Sequence, residues 1–451
     1  MSSPTAADTI PRGRVLAWAM YDWGNSAFAT TVVAGLFPVF FKDYWSEGVD
    51  ASQSTFHLSL GVSIASLLVA LLAPALGVAV DQGASRKRLL VFFAGISIAL
   101  TAALALIPQG QWLGALFAYS LAFAAWLLSL VIYDSMILLV TRPDTVDRVS
   151  GLGYALGYLG GGLLFAVNAA ATYDPSLVGL VARGSTDTVA VAAARTLAVK
   201  LSFVSVAVWW AVFMLPLLWK VPDTSRSGSV PLIQAWRQGV GEVLDTFREL
   251  RRYRYAFAFL LAFWLYIDGV DTVYTMALGI GKDLGFSTAD LIMALLLVQF
   301  VAFPFAWAYG WMAGRVGAKP MILVGLATYV LVTAGATQIT TTPVPLFGLQ
   351  ISQFQILALL VGTAQGGVQA LSRSLFTRLI PRERAGEFFG FYNLLGRFAA
   401  VLGPLLLGVV TRITGDSRLG MGSVGLLLIS GGILLWRLDV AEGQRAIESS
   451  S

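Results

Sequence analysis

Three acidic side chains lie inside long apolar stretches of the sequence, where a charge is costly. Asp22 falls within the apolar run 15–41, and Asp268 and Asp271 fall within 254–280. A charge at the centre of a membrane helix costs about 2.5–3.5 kcal/mol on insertion scales, so each carboxylate needs a partner or a water-filled cavity. A carboxyl group in a low-dielectric setting can exchange a proton near neutral pH. Two acids one turn apart resist double ionisation, so we predict that Asp268 or Asp271 is a proton-coupling site.

Each acid belongs to a helical face that also carries an aromatic side chain and a second polar group. This face occurs twice at a constant offset of 246 residues, as Trp18, Asp22 and Asn25 and again as Trp264, Asp268 and Asp271. Residues at i, i+4 and i+7 share one side of a helix. We therefore predict that the whole first face, together with Trp264, contacts a solute. In the alternative reading, Asp22 only caps a local kink and the other two acids pair with an arginine.

One arginine is itself embedded in an apolar run. Arg397 lies ten residues into the stretch 387–412, with Asn393 one turn before it on the same face. At 1.5 Å per residue this depth is roughly 15 Å, close to the midplane of a membrane. A guanidinium there can bind a solute carboxylate with two parallel hydrogen bonds, or it can neutralise the acids of 254–280. The first possibility makes Asn393 and Arg397 solute-binding residues, and the sequence leaves both open.

A further polar face lies on the apolar stretch 349–378. Gln365, Gln369 and Arg373 follow one another at four-residue spacing and so share one side of a helix. We predict that Gln369 contacts the solute and that Arg373 pairs with Asp134 as an inner gate. The alternative is hydrogen bonding between helices without any solute contact.

The elements that must position these residues are membrane helices. Of 451 residues, 57% are hydrophobic and 12% charged, with a mean hydropathy of +0.76, whereas soluble domains contain about 25% charged residues. Apolar runs of about twenty residues, long enough to cross roughly 30 Å of hydrocarbon, recur along the chain. We predict twelve transmembrane helices, at 15–41, 56–80, 88–107, 112–140, 149–172, 196–219, 254–280, 288–313, 320–338, 349–378, 387–412 and 419–437.

The chain divides into two sets of six helices. We predict an N-terminal bundle at 1–219, a cytoplasmic central loop at 220–253, and a C-terminal bundle with a short cytoplasmic tail at 254–451. Lys and Arg concentrate in the termini, in the central loop and in the loops after the second, fourth, eighth and tenth helices. The positive-inside rule then places both termini in the cytoplasm. We expect a multi-pass protein of the cell inner membrane that works as a monomer among membrane lipids.

The two halves also share glycines and charges near the ends of corresponding helices. Gly77 corresponds to Gly310, and Gly151 and Gly157 correspond to Gly390 and Gly396, at offsets of 233 to 239. Correspondences that run in chain order indicate two parallel repeats, which place a central cavity between the halves. We therefore predict an all-α membrane protein that is built of two six-helix bundles.

The loop after the second helix and its repeat resemble the loop motif of the major facilitator superfamily. The first copy runs Gly77-Val-Ala-Val-Asp81 and continues to Arg86, and the second runs from Gly310 to Arg315. The first copy has Gln82 where the family has Arg. This resemblance implies that Gly77 and Gly310 allow close helix approach, and that Asp81, Arg86 and Arg315 form ion pairs that gate the cytoplasmic side.

Three longer segments are similar to the vacuole-effluxer branch of that superfamily, long labelled an unknown major facilitator group. They are Trp18-Ala-Met-Tyr-Asp-Trp-Gly-Asn-Ser-Ala27, Arg148-Val-Ser-Gly-Leu-Gly-Tyr-Ala-Leu-Gly-Tyr158, and Gly366-Gly-Val-Gln-Ala-Leu-Ser-Arg-Ser374 with Glu387-Phe-Phe-Gly390. The resemblance implies a twelve-helix carrier, and the fungal members of this branch are associated with the release of amino acids from vacuoles.

Several other functional classes are disfavoured. The chain has no cysteine and one histidine, His57, which excludes disulfides and the usual zinc or haem ligand sets. No phosphate-binding loop is present, and basic residues are not massed on one solvated face as nucleic-acid binding requires. We predict a secondary active carrier, not an enzyme, without a cofactor, that moves a small polar solute by alternating access coupled to protons. Amino acids are the first candidates; the alternatives are a lipid or amphiphile carrier and a sugar or osmolyte symporter.

Overall fold

The computed structural model describes residues 11–49, 51–223, 253–346, 348–398 and 402–448. Within those ranges, 11 helices are long and apolar enough to cross a membrane, and one shorter apolar helix accompanies them. The predicted all-α membrane architecture is confirmed. The predicted central loop 220–253 lies almost entirely outside the described residues.

Six helical segments form the first half of the chain. They are α1 (Arg12–Trp45), α2 (Ala51–Asp81), α3 (Arg86–Ala103, extended to Leu106 by a 3-10 turn), α4 (Trp112–Val140, interrupted at Met136), α5 (Val146–Tyr173) and α6 (Thr188–Lys220). Two stretches of α1, Phe28–Leu36 and Phe41–Trp45, are π-helical. Such widened turns are frequent at functional sites.

Within its described residues, the second half contains eight α-helical segments and one small hairpin. They are α7 (Arg254–Asp283), α8 (Thr288–Val316), α9 (Ala318–Ala336), β1 (Val344–Leu346), β2 (Leu349–Ile351), α10 (Gln353–Thr377), α11 (Ala385–Phe398), α12 (Leu402–Thr414), α13 (Ser417–Arg437) and α14 (Val440–Glu448). The predicted helix 387–412 overlaps α11 and α12, and residues 399–401 between them lie outside the described part of the chain.

Two predicted helix boundaries were wrong. The tenth helix begins at Gln353, not at 349, because Leu349–Ile351 pairs antiparallel with Val344–Leu346 across a turn in which Gly348 has a φ of +79°. The sixth helix begins at Thr188, not at 196. Its start is fixed by the Asp187 carboxylate, which accepts hydrogen bonds from two backbone N–H groups of the first turn at 3.0 Å.

The described residues group into two compact units. One contains the residues up to Val140 and those from Leu156 to Asp223, and the other contains Thr141–Ala155 and the residues from Tyr253 onward. Helix α5 therefore contributes its first turns to the second unit and the remainder to the first. The domain boundaries that we infer from the sequence stay a prediction.

Close helix packing in the first unit depends on glycine. A Cβ at Gly160 of α5 would lie 2.6 Å from the carbonyl oxygen of Trp23 in α1, and a Cβ at Gly24 would lie 3.2 Å from the Cα of Trp210 in α6. A side chain at Gly160 would collide with that backbone oxygen, so α1 and α5 are in direct backbone contact there.

Candidate functional site

The acid of α1 is held by hydrogen bonds within the first unit. Asp22 is 8% exposed. The hydroxyl of Tyr133 in α4 donates to Asp22 Oδ2 at 2.7 Å, and Asn25 Nδ2 donates to Asp22 Oδ1 at 3.3 Å. Hydrogen bonds to a charged acceptor are stronger than neutral ones. Both carboxylate oxygens therefore have a fixed orientation.

The two predicted neighbours of Asp22 support that arrangement. Trp126 Nε1 donates to Asn25 Oδ1 at 3.1 Å, so the Asn25 amide is bonded on both sides. Trp18 is fully buried, stacks on the Tyr133 ring with centroids 4.6 Å apart, and donates to the Tyr133 carbonyl at 3.3 Å. Trp18 and Asn25 thus position the Tyr133–Asp22 pair. Tyr133 and Trp126 were not predicted as site residues from the sequence, although both lie in the aromatic run of α4.

The corresponding acid of α7 has a different environment within the second unit. Asp268 is completely buried. The Gly403 N–H of α12 donates to Asp268 Oδ1 at 2.9 Å, and the Thr272 hydroxyl lies 3.4 Å from the same oxygen. Asp268 Oδ2 has no hydrogen-bond partner among the described residues. Asp268 therefore joins α7 to α12 through a charge-assisted hydrogen bond from a backbone N–H.

Substitution of Gly403 is expected to break this hydrogen bond. A Cβ at Gly403 would lie 1.9 Å from Thr272 Oγ1 and 2.7 Å from Asp268 Oδ1, so Gly403→Ala must push α12 away from α7. Overpacking of this kind costs about 1–3 kcal/mol. We expect a lower unfolding temperature for purified Gly403→Ala and a loss of transport.

A glycine one and a half turns further along α12 provides a matched control. A Cβ at Gly408 would meet no atom within 4 Å, so Gly408→Ala is expected to keep the parental unfolding temperature. Equal unfolding temperatures for the two variants would contradict the contact between Asp268 and α12.

The remaining predicted solute and coupling residues of α7 lie near Asp268 in the chain. Asp271 is half-buried and interacts electrostatically with the hydroxyl groups of Tyr274 and Tyr329 in the second unit. Trp264 is half-buried, and its indole N–H has no described partner. The three predicted residues of α7 therefore differ in their contacts: Asp268 accepts a hydrogen bond from a backbone N–H of α12, Asp271 interacts with tyrosines, and the Trp264 indole N–H has no described partner.

The residues predicted on α10 and α11 are only partly described. Gln369 and Asn393 are half-buried, and Asn393 Nδ2 donates to the Phe389 carbonyl of its own helix at 3.0 Å. The side chain of Arg397 lies outside the described residues. Its proposed roles, as a ligand for a solute carboxylate or as a partner of the α7 acids, stay predictions.

Arg373, predicted as part of an inner gate, is bound by the first turns of α5. It is 2% exposed, its Nε and Nη2 donate to the hydroxyl and carbonyl of Ser150 at 3.0 and 3.2 Å, and it lies over the Tyr154 ring at 4.5 Å. The Ser150 hydroxyl in turn donates to the Ala370 carbonyl at 2.7 Å. The pair with Asp134, which is buried in the first unit, stays a prediction. Ser150 and Tyr154 were not identified from the sequence.

The same turns of α5 cross α8 in direct backbone contact. A Cβ at Gly310 would lie 2.7 Å from the Asp147 carbonyl oxygen and 3.2 Å from the Gly151 Cα. Asp147 also forms an ion pair with Arg378 at 2.5 Å. Gly310 thus permits the close approach predicted for it, and the partner is α5.

The other predicted gating residues are only partly described. Gly77 is buried, Arg86 is half-buried at the start of α3, and the side chain of Asp81 lies outside the described residues. Arg315 is exposed and lies over the ring of Trp311, one turn earlier in α8, at 3.6 Å. The described contact of Arg315 is therefore a cation–π contact, and the ion pairs of these gating residues stay a prediction.

Comparison with protein families and relatives gives a consistent result. Residues 48–448 match the family described as vacuole effluxer Atg22 like. The chain is 38% identical over 421 residues to an uncharacterized MFS-type transporter, YxiO, of Bacillus subtilis (strain 168), and the match covers 93% of each chain. It is 27% identical over 340 residues to Autophagy-related protein 22 of Yarrowia lipolytica (strain CLIB 122 / E 150), covering 68% of this chain and 53% of that protein. The chain thus spans about half the length of this fungal relative.

The fold is shared with solved transporters. The structure of the MFS proton:xylose symporter XylE bound to 6-bromo-6-deoxy-D-glucose superposes with a TM-score of 0.65 at 14% identity, covering 94% of both chains. This likeness shows that the helices have the major facilitator fold.

Proposed function

Because the chain belongs to the Atg22-like vacuole effluxer family of the major facilitator superfamily, we propose that it moves a small polar solute by alternating access coupled to protons, with amino acids as the first candidates. The family and fold make it an MFS-type transporter. The solute class and the coupling ion are our proposals.

The observation that best supports proton coupling is the environment of Asp268. This side chain is fully buried, one carboxylate oxygen has no partner, and no ion pair joins it to a described Lys or Arg. An uncompensated charge in such a place is strongly destabilising, and uptake of a proton removes it. The Gly403 N–H stabilises the charged form at the same oxygen. Each protonation state of Asp268 therefore has a stabilising factor in this environment.

The amino acid assignment rests on the chemistry of the polar groups and on the family. A carboxylate oriented as Asp22 is, beside aromatic rings, suits an ammonium group through charge-assisted hydrogen bonds and cation–π attraction. Asn393, Gln369 and Arg397 offer donors for a solute carboxylate. A zwitterion carries both kinds of charge, whereas an uncharged sugar carries neither. The family description, vacuole effluxer Atg22 like, supports the export of a solute.

The experiment that tests this proposal is transport by the purified chain in proteoliposomes. Radiolabelled amino acids, sugars and osmolytes are compared with and without an imposed pH gradient, and protein-free liposomes serve as the control. We expect uptake of a subset of amino acids, with accumulation driven by the gradient and abolished by a protonophore. Transport that ignores the gradient would refute coupling, and uptake of sugars alone would refute the amino acid assignment.

A further inference from the structure

The second unit contains a cavity whose walls are apolar. It lies among α7, α8, α9, α10 and α13 and has a volume of about 80 Å³. None of its lining residues is among those proposed for transport. The buried part of its wall includes six side chains that are at most 8% exposed: Val273, Leu295, Val298, Val332, Val361 and Met421.

The wall offers almost no hydrogen-bonding groups. Tyr274 is the only described lining residue whose side chain carries an oxygen or a nitrogen, and its hydroxyl interacts electrostatically with Asp271. A buried water makes about three hydrogen bonds to polar groups, and apolar cavities without such groups stay dry. The wall therefore disfavours water and favours an occupant that makes no hydrogen bonds.

Close helix contacts on two sides of the cavity hold its walls apart. A Cβ at Gly281 of α7 would lie 2.6 Å from a side-chain carbon of Leu291 in α8 and 2.9 Å from one of Phe354 in α10. Further along α10, a Cβ at Gly362 would lie 3.2 Å from the carbonyl oxygen of Val298 in α8. A collapse of the walls into the cavity would require these contacts to break. The surrounding helices are therefore unable to fill the space by a small relaxation.

A hydrophobic cluster lies at the end of the cavity near the turn between α7 and α8. Phe286 of that turn forms a buried cluster with Leu291 and Ile339, and the wall residues Leu284 and Phe354 pack against it. All five helices around the cavity are long and apolar enough to cross a membrane. Apolar molecules concentrate in the hydrocarbon that surrounds such helices, so an apolar occupant has a source next to the cavity.

An empty cavity of this size is unfavourable. At the cost per unit volume found for cavities in protein cores, a volume of about 80 Å³ favours the filled over the empty state by roughly 25-fold. We propose that this cavity is a binding site for a small apolar molecule taken up from the membrane. A dry cavity of about 150 Å³ accommodates benzene or xenon, so the smaller volume here selects xenon or a hydrocarbon smaller than benzene.

This site is separate in its chemistry from the one proposed for transport. A zwitterionic or sugar-like solute would lose its hydrogen bonds to water against walls that cannot replace them. An apolar occupant loses none. Because a ligand stabilises the state that binds it, the occupant is expected to stabilise the packing of α7, α8, α9, α10 and α13 in this unit.

Xenon titration of the purified full-length chain in nanodiscs tests the proposal. The methionine methyl groups are labelled with carbon-13, and the Met421 signal is identified by its loss in Met421→Leu. Met421 lines the cavity and is 4% exposed, whereas Met293 of α8 is 48% exposed and reports xenon dissolved in lipid. We expect the Met421 chemical shift to saturate with xenon pressure and the Met293 shift to change linearly. A linear or absent response of Met421 would overturn the proposal.

Methanol tests the chemistry of the occupant. It is small enough for the cavity but needs hydrogen-bond partners that the wall does not offer, so we expect no saturable response of Met421 to it. A saturable response as strong as that to xenon would exclude an apolar selectivity.

Filling the cavity tests its position. Ala358 lines it and is 7% exposed, so Ala358→Leu is expected to remove the saturable response to xenon. Ala334→Leu, the same substitution at an exposed position of α9, is the matched control and should respond like the parent. Saturation that persists in Ala358→Leu would place the xenon elsewhere and overturn the proposal. If Ala358→Leu does not fold, the titration of the parent chain decides the proposal by itself.

Discussion

Asp268→Asn is expected to abolish proton-driven accumulation of the solute while exchange of solute across the membrane continues. Asparagine is close to the shape of aspartate and retains an oxygen that can accept from the Gly403 N–H, now 2.9 Å from Asp268 Oδ1. It cannot take up or release a proton. In proteoliposomes, uptake driven by a pH gradient should fall to the level of protein-free liposomes, and counterflow with solute on both sides should persist.

A comparison with Asp22 separates coupling from solute binding. Both oxygens of Asp22 accept hydrogen bonds, from Tyr133 and Asn25, and we expect Asp22→Asn to impair driven uptake and counterflow alike. Asp174→Asn, in the loop between α5 and α6 where Ser176 donates to the carboxylate at 2.7 Å, controls for the loss of an acid elsewhere. Gradient-driven accumulation that persists in Asp268→Asn would exclude Asp268 as the coupling group.

Gly310→Ala is expected to reduce transport strongly without removing any polar contact. The new Cβ would lie 2.7 Å from a backbone oxygen of Asp147 and 3.2 Å from a backbone carbon of Gly151, so no side-chain rotation relieves the clash. Overpacking costs about 1–3 kcal/mol. A shift of that size changes the population of the packed state by about 5- to 150-fold. Solute uptake in proteoliposomes measures the loss.

The next glycine on the same helix face is a close control. A Cβ at Gly314 would first meet the Arg148 Nε, at 3.3 Å, and the end of that long side chain can move. We expect Gly314→Ala to transport like the parent.

A second measurement reports the packing of α5 against α8 directly. The chain has no cysteine, so Ala306→Cys, at a fully buried position of the crossing, reports this packing through the rate of its labelling by a maleimide. Slow labelling of this cysteine in the Gly310→Ala background would contradict the expected separation of α5 from α8.

The membrane architecture could be predicted from the amino-acid sequence. Apolar runs of helix length are a local property, because each must satisfy its own backbone hydrogen bonds in lipid. The two boundaries that were wrong had local causes that hydropathy does not register: the Asp187 cap before α6 and the Gly348 turn before α10. The spacing of the acids and glycines is also visible in the sequence, and Asp22, Asp268 and Gly310 are buried.

The partner of each of these residues depends on tertiary packing. Asp268 and Gly403 are 135 residues apart in the chain, and Asp22 and Tyr133 are 111 apart. The repeat pattern made the two acids appear equivalent, yet Asp22 accepts a hydrogen bond from a tyrosine hydroxyl and Asp268 accepts one from a backbone N–H. Helix periodicity specifies which face a side chain occupies, whereas its partner depends on how distant helices pack against that face.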